Sequence, residues 1–145
     1  MASLRRTLSA APSALAGATL GLVLSLTLSL ALAAPAHAEN LGAALVGKAG
    51  YEFDADPQAS AALKTLLGKE YKRFSDRIIV AGPVEKARGL VFGAGCKPHD
   101  CGTNEAAYAF DDAGRAYASI TTGGKTKFYG DPPKEIAAKI TPKRD

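Results

Sequence analysis

The chain is poor in cysteine, with Cys96 and Cys101 as the only two among 145 residues. Because they stand close together, a bridge between them closes one short loop and cannot hold a whole fold together. A small disulfide-rich scaffold is therefore excluded, and the stability of the chain must come from an ordinary apolar core.

The chain also lacks a strong excess of charge of either sign. It has 18 basic and 14 acidic residues, and its formal net charge is +4 at pH 7. The basic residues are scattered along the sequence, whereas a nucleic-acid interface needs them clustered on one face. We therefore expect no nucleic-acid partner.

Long hydrophobic runs are scarce as well, and the one that stands out covers residues 14–34. Two arginines precede it, and the small-residue pattern Ala36-His37-Ala38 follows it, which is typical of a cleavable signal peptide. An uncleaved anchor helix is the alternative, because the run is about long enough to span a bilayer. The small residues and the polar chain after them favour cleavage, so residues 1–38 are predicted to be a signal peptide.

The remaining chain, residues 39–145, has the size of one domain with one core. It contains no second run that could span a bilayer, so we expect no stable membrane insertion after the signal is removed. Export brings the cysteines into an oxidising compartment, where a disulfide between Cys96 and Cys101 is the expected state.

Turn signals and hydrophobic periodicity divide this domain into helices and short strands. Asp56 and Pro57 are typical of a helix start, as N-cap and first helical residue, and Gly68 is predicted to end that helix. Short apolar or β-branched runs between Gly, Pro and Asp are typical of antiparallel strands joined by tight turns. The prediction is an α+β fold, with an antiparallel sheet of four or five strands flanked by helices. The expected strands are residues 78–81, 90–92, 106–110, 116–121 and 125–129, and a last helix opens at residues 131–133 and stops at Pro142.

A protruding loop is predicted between two of these strands, where the cysteines enclose Lys97, Pro98, His99 and Asp100. Pro98 fixes one backbone dihedral in the middle of the closed ring, so the tip has few conformations left. His99 is the only histidine after the signal peptide, and the ring displays it together with Lys97 and Asp100. A preordered polar tip loses little entropy on docking, which is how rigid protein inhibitors gain affinity.

Other functions of the same residues are weaker predictions. Four metal ligands within Cys96–Cys101 could hardly surround a tetrahedral ion, because known sites use separated pairs. A redox dithiol normally has two residues between its cysteines, and a Cys–His nucleophile needs a free thiol, which export disfavours. The carboxylates Glu52, Asp54 and Asp56 stand near the predicted helix start, where capping explains them. We expect no enzyme activity, metal or cofactor, and a disulfide-closed surface turn without a partner stays open as an alternative.

The segment Cys96-Lys97-Pro98-His99-Asp100-Cys101-Gly102 resembles, at every position, the signature loop of the periplasmic inhibitor of vertebrate lysozyme family of Gram-negative bacteria. The order of elements is similar too, with an early helix, a strand entering the loop and a meander leaving it. The resemblance implies an antiparallel sheet flanked by helices, a periplasmic location and C-type lysozyme as the partner.

In that family the loop enters the lysozyme cleft, and its histidine hydrogen-bonds the two catalytic carboxylates. The resemblance assigns this contact to His99, with Lys97 and Asp100 as flanking contacts or loop-internal partners. The expected function is a secreted lysozyme inhibitor that protects the cell wall and evades host defence. The alternative is an exported structural or binding protein that recognises peptidoglycan or regulates the cell's own lytic transglycosylases.

Overall fold

The structure, a computed structural model, describes residues 41–141. The predicted signal peptide and Pro142, the expected end of the last helix, lie outside the described residues. None of the helices within residues 41–141 has both the length and the apolar character needed to cross a membrane.

The described residues form three helices, six strands and three short 3-10 turns. The helices are α1 (Pro57–Leu67), α2 (Tyr71–Ser75) and α3 (Lys134–Lys139). The strands are β1 (Val80–Ala81), β2 (Glu85–Ala87), β3 (Leu90–Cys96), β4 (Asn104–Asp111), β5 (Ala116–Thr122) and β6 (Lys125–Tyr129), and the 3-10 turns lie at Ala43–Leu45, Phe53–Ala55 and Gly68–Glu70.

The strands form one antiparallel sheet, in which β3, β4, β5 and β6 lie side by side in chain order. β1 and β2 share the free edge of β3: β2 pairs with its first half, and β1 pairs with its end, where Val80 faces Cys96. Short connections between sequence neighbours produce such a meander. The predicted α+β class and the antiparallel sheet are confirmed.

Several details of the strands differ from the prediction. β3 continues to Cys96 and β4 covers Asn104–Asp111, whereas the predicted ranges are 90–92 and 106–110; β5 is one residue longer than predicted. β2 is not predicted, because its side chains are all exposed and show no apolar alternation. The sheet therefore has six strands, one more than the larger number expected. The strand expected at residues 78–81 is shortened to Val80–Ala81, because Ile78 belongs to the turn after α2 and buries its side chain in the core.

Helix α1 begins where the sequence predicts. The Oδ1 atom of Asp56 accepts hydrogen bonds from the backbone N–H groups of Gln58 (3.0 Å) and Ala59 (3.1 Å), which satisfies two donors that the first turn leaves unpaired. Gly68 follows the last helical residue as the C-cap, also as predicted. These two ends set the apolar face of α1 against the sheet, where Leu63 is fully buried.

The sheet has an apolar core on each face. Successive side chains of β4 alternate between the faces, so that Tyr108 and Phe110 pack beneath α1 and α2 while Ala107 and Ala109 face α3. The residue after α3, Ile140, is fully buried against this second face. A sheet that is packed on both faces gives β3 and β4 a rigid base for the connection between them.

Candidate functional site

The predicted ring forms at the connection between β3 and β4. Cys96, the last residue of β3, is disulfide-bonded to Cys101, and their Cα atoms are 5.0 Å apart. Cys96 is buried in the sheet, whereas Cys101 is exposed. The predicted disulfide is confirmed, and the ring is anchored in the sheet at one end and open to solvent at the other.

A β-turn forms the tip of the ring. The Asp100 N–H donates a hydrogen bond to the Lys97 carbonyl at 3.0 Å, which makes Pro98 the second residue of the turn and His99 the third. Proline is favoured at the second position because its ring already sets the required φ. His99 has a φ of 62°, and a positive φ at the third position is characteristic of a type II turn, where glycine is the usual residue.

The left-handed backbone of His99 has an energetic cost. For a residue with a Cβ atom this conformation costs about 1 kcal/mol or more, and glycine at the same place would avoid it. The side chain of His99 is exposed, so burial in the core does not compensate for that cost. Packing of the His99 side chain therefore does not explain its left-handed backbone.

The carboxylate of Asp100 turns back into the ring. It accepts hydrogen bonds from the hydroxyl of Thr103 and from the side-chain amide of Asn104. These bonds, the one from Thr103 first, lower the pKa of Asp100; slight burial opposes them, and the charges of Lys97 and Arg77 add to them. At neutral pH the carboxylate is therefore ionised and hydrogen-bonded to two residues that follow the ring.

Backbone hydrogen bonds close the base of the ring. The Lys97 N–H donates to the Asn104 carbonyl at 2.9 Å, and the Asn104 N–H donates to the Asp100 carbonyl at 3.0 Å. Gly102 has a φ of 91°, and its N–H donates to the Glu105 side chain on β4 at 3.1 Å. The chain therefore leaves the ring in a defined direction and enters β4 directly.

Two observations bear on the catalytic and metal-binding alternatives. The sulfur atoms of both cysteines are joined in the bridge, so neither is a thiolate available for nucleophilic or redox catalysis. Within residues 41–141, no group of three or more His, Cys, Asp or Glu side chains is arranged to hold a metal ion.

The three carboxylates near α1 have local structural partners. Asp56 is the N-cap, and Glu52 accepts a hydrogen bond from a backbone N–H at 2.8 Å. Asp54 accepts hydrogen bonds from Ser60 and Lys64, and the bond from Ser60 is the main reason that the pKa of Asp54 is lowered. An ionised carboxylate held in this way is a poor general acid at neutral pH.

Sequence reasoning names every residue of the ring but not the partners of Asp100. Thr103 and Asn104 lie just outside the cysteines, and Arg77 comes from the turn after α2. The spacing of Asp100 and Thr103 is the signal that could have found them, since Asp side chains often bind groups a few residues further along the chain.

The antiparallel sheet with helices on both faces defines an α+β protein that carries a disulfide-closed loop with an exposed histidine. A family model described as the inhibitor of vertebrate lysozyme (Ivy) matches residues 58–144. This chain belongs to that family, as its ring predicts. Membership supports a general role as a lysozyme inhibitor, with lysozyme as the partner. Comparisons with curated proteins and with solved structures gave no match.

Proposed function

We propose that this chain is an exported, non-enzymatic inhibitor of C-type lysozyme, which places the Cys96–Cys101 ring in the active-site cleft of the enzyme. His99 is the central contact and hydrogen-bonds the catalytic carboxylates. One observation carries the proposal: an exposed imidazole stands at the third position of a proline turn, on a ring that is anchored in the sheet.

The chemistry of the target suits an imidazole. A retaining glycosidase has an acid and a nucleophile carboxyl group about 5 Å apart in its cleft. A protonated imidazole has two N–H donors on opposite sides of a flat ring, so one side chain can reach both groups. Such charge-assisted hydrogen bonds are among the stronger ones available to proteins. The inhibitor has no glycosidic bond and therefore fills the cleft without being cleaved.

The charges of the ring also suit an acidic cleft. Lys97 is exposed beside the turn and adds a positive charge next to His99. Asp100 keeps its negative charge, but its carboxylate is hydrogen-bonded to Thr103 and Asn104, which follow the ring. Lys97 and a protonated His99 together outweigh this one negative charge, and such complementarity to a negatively charged site favours correct docking.

The location of the chain is part of the proposal. Residues 1–38 direct export to the periplasm, and their removal leaves residues 39–145 as a single inhibitor domain. The Cys96–Cys101 bridge supports an oxidising compartment. There the inhibitor protects the cell wall from lysozyme that enters during host defence. The cell's own lytic transglycosylases form a second target class for the same ring, because their clefts bind the same polymer and contain a catalytic acid.

A lysozyme activity assay with purified, oxidised chain tests the proposal. His99→Ala should weaken inhibition about a hundredfold, as expected when a central contact of an interface is truncated. Arg88→Ala is a matched control, because Arg88 is also an exposed, positive-φ turn residue but lies at the other end of β3. Equal inhibition by wild type and His99→Ala, or no inhibition by the oxidised wild type, would refute the proposal.

A further inference from the structure

We infer that Thr103 and Asn104, which follow the disulfide ring, are positioning residues: by binding the Asp100 carboxylate they hold His99 in the conformation that inhibits. This inference rests on the proposed function of His99. It assigns the shape of the tip to a hydrogen-bond network beyond the cysteines, in addition to the bridge itself.

The network starts at the residue next to His99. The two carboxylate oxygens of Asp100 are divided between two donors: Oδ1 accepts from the Thr103 hydroxyl, and Oδ2 accepts from the Asn104 side-chain amide. The backbone of Asp100 is bound as well, since its N–H donates to Lys97 and its carbonyl accepts from Asn104, both at 3.0 Å. The peptide that follows His99 is therefore held at its N–H by Lys97, while Thr103 and Asn104 fix the side chain and the carbonyl of Asp100 next to it.

The donors are themselves fixed to the sheet. Asn104 is the first residue of β4 and pairs with Thr122, the last residue of β5. The carbonyl of Thr103 accepts a hydrogen bond from the Gly124 N–H at 3.2 Å, in the turn between β5 and β6. The network thus connects the tip of the ring to β4, to β5 and to the turn between β5 and β6.

The bridge alone does not determine the backbone of His99. A disulfide fixes the distance between Cys96 and Cys101, but the residues between them keep several possible dihedral angles. A positive φ is uncommon for a residue other than glycine, so His99 would leave it if nothing held the next peptide. If only a fraction of the rings presented the imidazole correctly, the apparent affinity would fall by that fraction.

Four substitutions, one of them a control, test the inference. Thr103→Val keeps the shape of the side chain but removes the hydroxyl that binds Asp100, and Thr103→Ser restores a hydroxyl. Thr122→Val is the matched control: it makes the same chemical change at an exposed threonine on the same end of the sheet, whose side chain makes no hydrogen bond to the described residues 41–141. Asn104→Leu removes the second donor and should act like Thr103→Val.

The first measurement is amide hydrogen exchange of the free protein by NMR, which needs no lysozyme. In Thr103→Val the amides of Asp100 and Asn104 should exchange about tenfold faster, because the turn opens more often, while the amide of Tyr108 in the core keeps its rate. Thr103→Ser and Thr122→Val should exchange like the wild type. Unchanged exchange at Asp100 and Asn104 in Thr103→Val would overturn the inference.

The second measurement is the inhibition constant of each variant. Thr103→Val should inhibit about tenfold more weakly, Thr103→Ser should recover most of this loss, and Thr122→Val should match the wild type. Equal weakening by Thr122→Val would overturn the inference, since the effect would then belong to the whole end of the sheet. If His99→Ala inhibits like the wild type, the proposed function fails, and the exchange rates still decide whether the network holds the turn.

Discussion

Both connections of β3 contain a non-glycine residue with a left-handed backbone, but for different reasons. Between β2 and β3, Arg88 and Gly89 have φ values of 50° and 75°. Two positive values in a two-residue connection are the pattern of a type I′ hairpin, whose twist matches that of the strands. Between β3 and β4, His99 has a φ of 62° within a longer connection, residues 97–103.

The two left-handed residues differ in whether the fold requires their conformation. A two-residue hairpin imposes the conformation of Arg88 on whatever residue stands there. The connection at residues 97–103 is long enough to avoid such a conformation. It keeps one nevertheless, and surrounds it with a proline, a disulfide and the hydrogen bonds of Asp100. These surroundings, together with the exposed imidazole, support the proposed role of the ring as a recognition loop.

The largest expected difference between the two turns is in inhibition. Glycine suits both positions, so His99→Gly and Arg88→Gly should each leave the free energy of unfolding unchanged or raise it by up to about 1 kcal/mol. Inhibition should fall about a hundredfold in His99→Gly and stay unchanged in Arg88→Gly, because only the first removes a contact with the enzyme. Urea unfolding and inhibition constants check both, and a similar loss in the two variants would remove the distinction between the turns.

Opening the ring should have the next largest effect. Replacing both cysteines, Cys96→Ser with Cys101→Ser, should lower the free energy of unfolding by about 2 kcal/mol through loss of loop closure. Inhibition should weaken about tenfold, since the hydrogen bonds of Asp100 still hold part of the population. Amides around Arg88 should exchange faster only by the amount that the lower free energy of unfolding explains. Full inhibition by the open form would show that the bridge has no part in recognition.

A change in the β2–β3 hairpin should affect stability alone. Gly89 has a φ of 75°, which strains any residue with a side chain, and a Cβ atom there would also displace the exposed side chain of Asp112. Gly89→Ala should therefore lower the free energy of unfolding by about 1–2 kcal/mol. The inhibition constant of the folded fraction should equal that of the wild type; a weaker one would mean that this end of the sheet also contributes to binding.

The elements whose determinants are local could be predicted from the sequence. The cap at Asp56 and the stop at Gly68 locate α1 because capping depends on a few neighbouring residues. The last strand, Lys125–Tyr129, has the predicted bounds because turn residues stand at both ends. β2 could not be predicted, because its exposed side chains show no strand pattern and the strand forms by pairing with β3.

The candidate site divides in the same way. Residue type and spacing alone identify the cysteines, Pro98 and His99 as candidate site residues. The roles of Thr103 and Asn104 depend on the direction in which the Asp100 carboxylate points, and that direction follows from the closed turn. Sequence spacing alone does not give that direction.

The smallest expected effect is the loss of the Asp100 hydrogen bonds at low pH. Hydrogen bonds from Thr103 and Asn104 lower the pKa of Asp100 from its ordinary value of 3.8, with Lys97 and Arg77 as the charged neighbours. A lowered pKa in the folded state means that the carboxylate stabilises the ring above the ordinary value, and that this contribution is lost as pH falls through the lowered one. NMR signals of the Asn104 side-chain amide should stay constant from pH 7 to about 4 and shift below it. Asp100→Asn should abolish this transition; its persistence would assign it to another group.

Competition at the cleft tests the central claim most directly. The chain is titrated calorimetrically into C-type lysozyme in the presence of rising concentrations of a chitin oligosaccharide that occupies the substrate cleft. If the ring enters that cleft, the apparent Kd should rise in proportion to the oligosaccharide concentration. An apparent Kd that does not change when the cleft is filled would contradict the account, because the inhibitor would then bind elsewhere on the enzyme.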